Sequence, residues 1–274
     1  MNKKILYSVI GIVVIAYFTF CVAVYVKPQW FFYSPNNDKA DINASLSNGL
    51  KVQEVTYQAV DGTQLYGWIK APQKGKKMIV FYHGNSYNIE KFYEKMKPLV
   101  QYGYGIFMPE YRGFGGIKGE INQSGLEQDA QAAIDYLHSL GYSNRKILVY
   151  GMSLGSYTAS YVAAHAKSRF AGLILEVPFD SLINVVKQRI WPIFPFDWMI
   201  KDKYDNIANI EKIKIPVLIM AAEDDKTVPL QRAENLFNNA NDPKEMLIYQ
   251  DAQHSNLLEH KNYQDILNWL QKIR

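Results

Sequence analysis

Residues 147–155 read Ile-Leu-Val-Tyr-Gly-Met-Ser-Leu-Gly, and this stretch determines how the rest of the chain is interpreted. Its first four residues form an apolar run typical of a buried strand. The next five match the pattern G-x-S-x-G, and residues 156–166 after them have the composition of a helix. A serine in this pattern, between a strand and a helix, lies on a strained turn that exposes its hydroxyl. The stretch therefore predicts that Ser153 is a nucleophile.

Apolar runs of similar length recur along the chain and predict one large sheet. Two alternating segments come first and flank Asp61-Gly62, which is a strong hairpin signal. Helix-length segments separate the later runs, as in βαβ units with parallel strands. The later runs are residues 78–82, 105–109, 147–150, 173–177, 217–221 and 246–249. We therefore expect an α/β fold with about eight mostly parallel strands and helices on both faces.

One interval is too long for a single crossover connection. About 38 residues separate the run that ends near Val177 from the run that begins near Pro216. This interval predicts an insert at about 180–214. The insert is rich in aromatic residues and proline, which favours a short lid over a pocket; helices that only cover the sheet edge are the alternative. The residues concerned are Trp191, Pro192, Phe194, Pro195, Phe196 and Trp198.

The N-terminal segment has no charged residue from Ile5 to Val26, a run of about 22 residues. At about 1.5 Å per residue, a helix of this length spans roughly 33 Å, enough to cross a bilayer. A cleaved signal peptide is the alternative. It usually has a shorter apolar region and small residues before the cleavage site, where this chain has Phe18 and Phe20. We therefore predict an uncleaved, single-pass membrane anchor in residues 1–30.

Flanking charges predict how this anchor is oriented. Lys3 and Lys4 precede the apolar run, whereas Lys27 alone follows it. Because positive charge is retained on the cytoplasmic side, we expect the N-terminus in the cytoplasm and the catalytic domain outside it. Residues 31–49 are predicted to be a linker, and residues 50–274 to be the catalytic domain.

Composition excludes several other classes of function. The 30 basic and 26 acidic residues leave a formal charge of +4, and the basic residues form no long cluster, so a nucleic-acid partner is not expected. Cys21 is the single cysteine and lies in the apolar segment, which rules out an intrachain disulfide and a multi-cysteine zinc site. Neither a cofactor nor a metal is expected.

A nucleophilic serine requires a base, and His254 has the position for that role. It follows the last predicted strand, in a loop at the carboxyl ends of the parallel strands. A carboxylate should orient the histidine, and in this chain order it should lie between the serine and the histidine. The run Glu223-Asp224-Asp225 follows the strand at 217–221 and supplies three candidates. The N–H of Leu154, next to the nucleophile, is expected to stabilise the oxyanion.

From about Leu50 onward the sequence resembles the α/β-hydrolase superfamily, and in particular small membrane-anchored α/β-hydrolase-domain proteins. Members often carry Asp-x-x-Val-Pro after the corresponding strand, which matches Asp225 to Pro229 here. The resemblance therefore implies Asp225 as the triad acid, with Asp224 as the alternative. Residues Tyr82-His83-Gly84-Asn85 resemble the His-Gly-x loop of the family. That loop implies that the N–H of Asn85 is the second oxyanion donor.

The motifs and the resemblance together predict a serine hydrolase that cleaves carboxylic esters through an acyl-enzyme. The predicted substrates include thioesters or lipids. The expected partners are therefore a small-molecule or lipid-like ester as substrate, and the membrane through the N-terminal helix. The short insert suggests a preference for short to medium acyl chains. A serine peptidase or amidase with the same triad is the first alternative. A catalytically silent, membrane-anchored binding protein is the second.

Overall fold

The computed structural model describes residues 2–43, 52–189, 193–257 and 263–273. The ten strands in these residues are β1 (Ser34–Pro35), β2 (Gln53–Gln58), β3 (Gln64–Lys70), β4 (Met78–Tyr82), β5 (Ser86–Tyr87), β6 (Gly105–Pro109), β7 (Ile147–Met152), β8 (Gly172–Glu176), β9 (Val217–Ala222) and β10 (Lys244–Tyr249). Eight of them form the main sheet, in the order β10-β9-β8-β7-β4-β6-β3-β2. All neighbours pair in parallel except β2 with β3 and β3 with β6. The predicted eight-stranded, mostly parallel sheet is confirmed.

Helices cover both faces of this sheet. The ten α-helices in the described residues are α1 (Lys3–Val26), α2 (Gln29–Phe32), α3 (Ile89–Gln101), α4 (Gln123–Ser139), α5 (Leu154–His165), α6 (Leu182–Arg189), α7 (Phe196–Met199), α8 (Asn206–Ile210), α9 (Leu230–Asn239) and α10 (Tyr263–Lys272). Alternate side chains of the strands contact one face or the other. Val80 of β4 packs in a cluster with residues of α4, α5 and α9, whereas Phe81 packs with residues of α3 and α10.

The insert contains α6, α7 and α8, and it contacts the N-terminal helix. Met199 of α7 is fully buried against Val24 of α1 and Ile183 of α6. The rings of Tyr17 and Phe194 stack with centroids 5.2 Å apart. Those of Tyr25 and Trp198 stack at 4.9 Å. Phe194, Phe196 and Trp198 of the insert therefore pack near α1, while Trp191 and Pro192 lie outside the described residues.

Helix α1 has the length and composition of a membrane-spanning helix. It contains 24 residues; its most apolar 18-residue window has a mean hydropathy of 2.6, and only 11% of that window is buried in the protein. Its exposed side chains are large and apolar, as at Ile12 and Ile15, which are 67% and 68% exposed. A signal sequence would have the same properties.

The chain after α1 is attached to the catalytic domain. Strand β1 pairs in parallel with β5, which follows the loop at residues 83–85. Residues 34 and 35 thus form a strand within the predicted linker. That linker extends to residue 49, and its residues 44–49, like the predicted domain start at 50, lie outside the described residues. The division of the chain into anchor, linker and catalytic domain stays a prediction.

One buried ion pair connects the loop after β6 with α4. The Arg112 side chain donates from Nε and Nη2 to Asp129, with the shortest distance at 2.7 Å, and from Nη1 to Asp61 at 2.6 Å. Burial raises the pKa of Asp129, although the Arg112 guanidinium acts in the opposite direction. A buried carboxylate that loses its only cation is strongly destabilising.

We therefore expect Arg112→Met to lower the free energy of unfolding by about 3–5 kcal/mol. The control is Arg145→Met, because Arg145 is exposed and the same change there should alter stability by no more than about 0.5 kcal/mol. Guanidinium unfolding of the detergent-solubilised protein, followed by tryptophan fluorescence, measures both. Equal stability of the two variants would show that this pair contributes little.

Candidate active site

Ser153 lies on the turn between β7 and α5, and its backbone has the strained conformation that the motif predicts. Its φ is +52° and its ψ is −117°, a region that side-chain-bearing residues rarely occupy. The two glycines of the motif allow close packing around it. A Cβ on Gly155 would lie 2.0 Å from the carbonyl oxygen of Tyr82, and one on Gly151 would lie 2.1 Å from the carbonyl oxygen of Gly155. Only glycine fits at either position.

The structure brings Ser153, His254 and Asp225 together from three separate loops. The Oγ of Ser153 lies 2.9 Å from Nε2 of His254, and Nδ1 of His254 lies 2.7 Å from Oδ2 of Asp225. Because an ionised carboxylate only accepts hydrogen bonds, Nδ1 carries the proton. In the neutral imidazole Nε2 is then the acceptor, and the serine hydroxyl donates to it. This arrangement allows proton transfer from serine to histidine.

Asp225 and Asp224 differ clearly in position. Asp225 is buried, and its Oδ1 accepts hydrogen bonds from the N–H groups of Thr227 at 2.7 Å and Val228 at 2.8 Å. These bonds fix its carboxylate so that Oδ2 faces His254. Asp224 is exposed, and the bonded partner of His254 is Asp225.

The two predicted oxyanion donors lie on either side of Ser153. Leu154 is the first residue of α5, where helix geometry leaves the N–H without an intrahelical acceptor. In the described part of the chain the N–H of Asn85 has no acceptor either. A helix N-terminus also favours negative charge. Two free N–H groups next to a nucleophile are suited to bind a developing oxyanion.

His83 holds the loop that carries Asn85. Its Nδ1 donates to the carbonyl oxygen of Gly84 at 2.8 Å, and its Nε2 lies 2.8 Å from the Glu110 carboxylate; both side chains are fully buried. In a planar trans peptide the C=O and the following N–H point in opposite directions. Holding the Gly84 carbonyl therefore fixes the direction of the Asn85 N–H. This contact gives His83 a structural role.

The other histidines are remote from the nucleophile or not described. His138 bonds to Asn144 at 2.6 Å, and His165 bonds to the carbonyl oxygen of Tyr161 at 2.9 Å. His260 lies outside the described residues. Among the described residues, no three His, Cys, Asp or Glu side chains are placed to hold a metal ion.

Two cavities meet at Ser153. The insert-side cavity has a volume of about 380 Å³ and is lined by Phe31, Phe32, Leu154, Val185, Val186 and Val228. The α3-side cavity has a volume of about 550 Å³ and is lined by Tyr87, Lys91, Lys95, Met152, His254 and Ser255. Both volumes are in the range of small-ligand sites.

The walls of the insert-side cavity differ from the expectation in one respect. Of the insert aromatics that the structure describes, Tyr204 lines this cavity beside aliphatic residues of α6, whereas Phe194, Phe196 and Trp198 pack near α1. The other aromatic lining comes from Phe179 and from residues 31–33, which follow α1. Asn85 connects this segment to the oxyanion loop, because its Nδ2 donates to the carbonyl oxygen of Phe32 at 2.7 Å. By composition alone, residues 30–33 fit an aromatic belt at a membrane interface as well as the start of the packed domain, and no local signal relates them to Asn85.

Sequence reasoning also missed a buried charge beside the nucleophile. Glu176, at the end of β8, is fully buried and forms an ion pair with Lys95. Tyr150 donates to its other oxygen at 2.8 Å; burial, and secondarily Glu176 itself, raises the pKa of this tyrosine, so that it stays protonated. The carbonyl oxygen of Glu176 accepts the N–H of Ser153 at 2.9 Å. The sequence signal for this buried charge was a carboxylate, that of Glu176, at the end of an otherwise apolar strand.

Comparison with known proteins agrees with this architecture. The uncharacterized protein YfhR of Salmonella typhimurium is 29% identical over 258 residues, which cover 86% of this chain and 85% of that protein. The lysophosphatidylserine lipase ABHD12 of Xenopus tropicalis is 27% identical over 77% of this chain and 57% of its own length. Among solved structures, the esterase Pf2001 of Pyrococcus furiosus superposes with a TM-score of 0.69 at 17% identity, covering 87% of this chain and 98% of that chain.

These likenesses support a hydrolase with an α/β-hydrolase fold. The Prolyl oligopeptidase family model (Peptidase_S9) matches residues 90–273, which is more than half of the 274 residues. The matched region contains the strained turn at Ser153 and both loops that carry Asp225 and His254. The chain therefore belongs to the prolyl oligopeptidase family.

Proposed function

We propose that the protein is a serine hydrolase that cleaves carboxylic esters, with Ser153 as nucleophile, His254 as base and Asp225 as the residue that orients the base. The observation that carries this proposal is the continuous hydrogen-bonded series from Ser153 through His254 to Asp225, at 2.9 and 2.7 Å. The free N–H groups of Asn85 and Leu154 flank it. Together these groups supply the nucleophile, the base and the oxyanion donors that acyl transfer requires.

The proposed reaction has two displacements. Ser153 Oγ bonds to the carbonyl carbon of the ester while its proton passes to Nε2 of His254. The bond from that carbon to the leaving oxygen then breaks, and His254 gives the proton to this oxygen. Water, deprotonated by His254, next attacks the acyl-enzyme and releases the acid and Ser153. The N–H groups of Asn85 and Leu154 stabilise the negative oxygen in both steps.

Esters are proposed ahead of amides because of the cavities and the named relatives. The insert-side cavity is mostly apolar, as an acyl chain requires. A lipase and an esterase are among the similar proteins. Membership of the prolyl oligopeptidase family favours the alternative, a peptidase or amidase. The triad does not decide between the two, because the same triad cleaves ester bonds and amide bonds. Substrate profiling decides between them.

We expect the purified protein to hydrolyse p-nitrophenyl esters with a kcat/KM that rises from two carbons, peaks at short to medium acyl chains and then falls. Each added methylene contributes about 0.8 kcal/mol of burial only while the cavity can enclose it. Esters of two to sixteen carbons are measured beside matched peptide amides. A continued rise to sixteen carbons would favour a long-chain lipase or deacylase. Faster cleavage of the amides would favour a peptidase.

The control for this panel is Ser153→Ala. Turnover of every ester should fall by several orders of magnitude, and covalent labelling by a fluorophosphonate probe should disappear. Undiminished labelling of the variant would mean that another residue is the nucleophile.

The two neighbouring aspartates provide a matched pair of variants. Asp225→Asn should lower kcat by roughly 10⁴-fold, because the amide misorients the imidazole. Asp224→Asn should have little effect, since Asp224 is exposed. The measurement is kcat on the best ester of the panel. The opposite ranking would identify Asp224 as the triad acid.

We also propose that α1 anchors the protein in a membrane as a single pass, with the catalytic domain on the extracytoplasmic side. The length and hydropathy of α1 support the anchor, and the excess of Lys3 and Lys4 over Lys27 supports the orientation. The exposed apolar face of α1 would then contact lipid.

We expect the full chain to resist carbonate extraction and its catalytic domain to be digested by protease added to intact spheroplasts. The control is Ile12→Lys/Ile15→Lys, because two lysines at the centre of a span cost roughly 5–7 kcal/mol of insertion free energy. Both side chains are exposed, so the folded domain should be unaffected. Protection of the domain in the intact spheroplasts would overturn the orientation. A soluble chain trimmed near residue 25 would identify a signal peptide.

A further inference from the structure

The two cavities at Ser153 differ in their relation to His254. His254 and Ser255 line the α3-side cavity. Neither lines the insert-side cavity, which instead contains Leu154, the first residue of α5. Ser153 and Asn85 border both. A substrate carbonyl bound at Ser153 can therefore extend one substituent into each cavity.

The chemistry of acyl transfer assigns a substituent to each cavity, and this step rests on the proposed function. When the carbon–oxygen bond breaks, the leaving oxygen must receive the proton held on Nε2 of His254. The leaving group must therefore lie on the His254 side of Ser153. The acyl chain then occupies the other, insert-side cavity, between α6 and the segment that follows α1.

Two lysines on one face of α3 line the α3-side cavity. Lys91 and Lys95 are four residues apart on this helix and both line the cavity. Lys95 is paired with the buried Glu176, so that its charge is compensated. Glu94 also lines the cavity, and its carboxylate lies 3.4 Å from Nζ of Lys97.

Lys91 is the cation of this cavity that has no carboxylate partner among the described residues. Its Nζ lies 5.7 Å from the centre of the Tyr87 ring, which also lines the cavity. An ammonium group held over an aromatic ring keeps its N–H donors available to a ligand. A negatively charged group in the cavity would meet Lys91 directly and would also face the exposed side of Lys95.

We propose that the α3-side cavity binds the leaving group of the ester and that Lys91 makes it selective for leaving groups that carry a carboxylate or a phosphate. The insert-side cavity determines the preferred length of the acyl chain. It does not affect the selectivity for charged leaving groups. The natural substrate class is then an ester of an anionic alcohol, with an apolar acyl group.

The test uses two leaving groups on one acyl chain. The full-length protein in detergent is assayed with 4-nitrophenyl butyrate and 3-carboxy-4-nitrophenyl butyrate, each rate divided by that of alkaline hydrolysis. The wild type should prefer the anionic ester. Lys91→Gln should reduce this preference by about threefold to fivefold, as for a partly exposed charge pair, and Lys91→Glu should reduce it further. High salt should reduce the preference of the wild type for the anionic ester.

A matched control removes the same charge elsewhere. Lys74 is exposed in the turn before β4, at the amino ends of the parallel strands, whereas the site lies at their carboxyl ends. Lys74→Gln should leave the preference unchanged. If it lowers the preference as much as Lys91→Gln does, the net charge of the protein is responsible and the proposal fails.

The acyl cavity is tested with Val185→Phe, which fills the insert-side cavity. This variant should lower kcat/KM for octanoyl esters at least tenfold relative to acetyl esters and should leave the preference for the anionic leaving group unchanged. An unchanged circular dichroism spectrum and thermal unfolding midpoint show that the variant folds; Val185→Leu is the milder replacement. If Val185→Phe alters the leaving-group preference while Lys91→Gln alters the acyl profile, the assignment is reversed. Absence of any Ser153-dependent ester hydrolysis would instead refute the proposed function.

Discussion

The close contact between Gly155 and the carbonyl of Tyr82 is the constraint on which the site depends. Because no Cβ fits there, α5 approaches β4 more closely than other helices could. That approach requires a very short turn, and Ser153 occupies it with a φ of +52°. The turn is stabilised by the bond from the Ser153 N–H to Glu176 and by that from Ser156 to the Ser153 carbonyl. The strain at one residue is thus offset by packing and hydrogen bonds around it.

The same contact joins the two segments that carry the proposed oxyanion donors. Residues 83–85 follow β4 directly, and Asn85 and Leu154 line the insert-side cavity together with Ser153. The buried pair of His83 and Glu110 then fixes the loop from the opposite side at 2.8 Å. Donors fixed before substrate binds need no reorganisation during the reaction, which is why such preorganisation contributes strongly to catalysis.

The N-terminal segment links the apolar helix to this chemistry. Residues 31–33 line the insert-side cavity, β1 pairs with β5, and Asn85 bonds to Phe32. The apolar helix also packs on α7 of the insert. The proposed membrane anchor and the acyl side of the proposed site therefore share one structural unit. A chain shortened to remove α1 together with residues 31–35 would lose a wall of the cavity as well as the proposed anchor.

Local sequence determined most of the fold, and it was also sufficient to nominate the candidate site. The strands at 78–82 and 105–109 are predicted with their observed bounds, because buried parallel strands are almost wholly apolar. The G-x-S-x-G pattern around Ser153 has a direct physical reason, because the close packing around this turn requires both glycines. The role of His254 as the base was inferred from its place in the chain, after the last predicted strand. Asp225 was preferred to Asp224 on family register, and the geometry of the structure places Asp225 against His254.

Only the tertiary structure decided which distant residues surround the nucleophile. The contact of Phe31 and Phe32 with the cavity, the pairing of Lys95 with Glu176, and the packing of the insert aromatics on α1 each join segments between about 80 and 180 positions apart in the chain. Composition indicated that these residues are apolar or charged, but not what they contact. Contacts of this kind depend on how whole elements pack, and packing is determined by the combined shape of many side chains rather than by any local pattern.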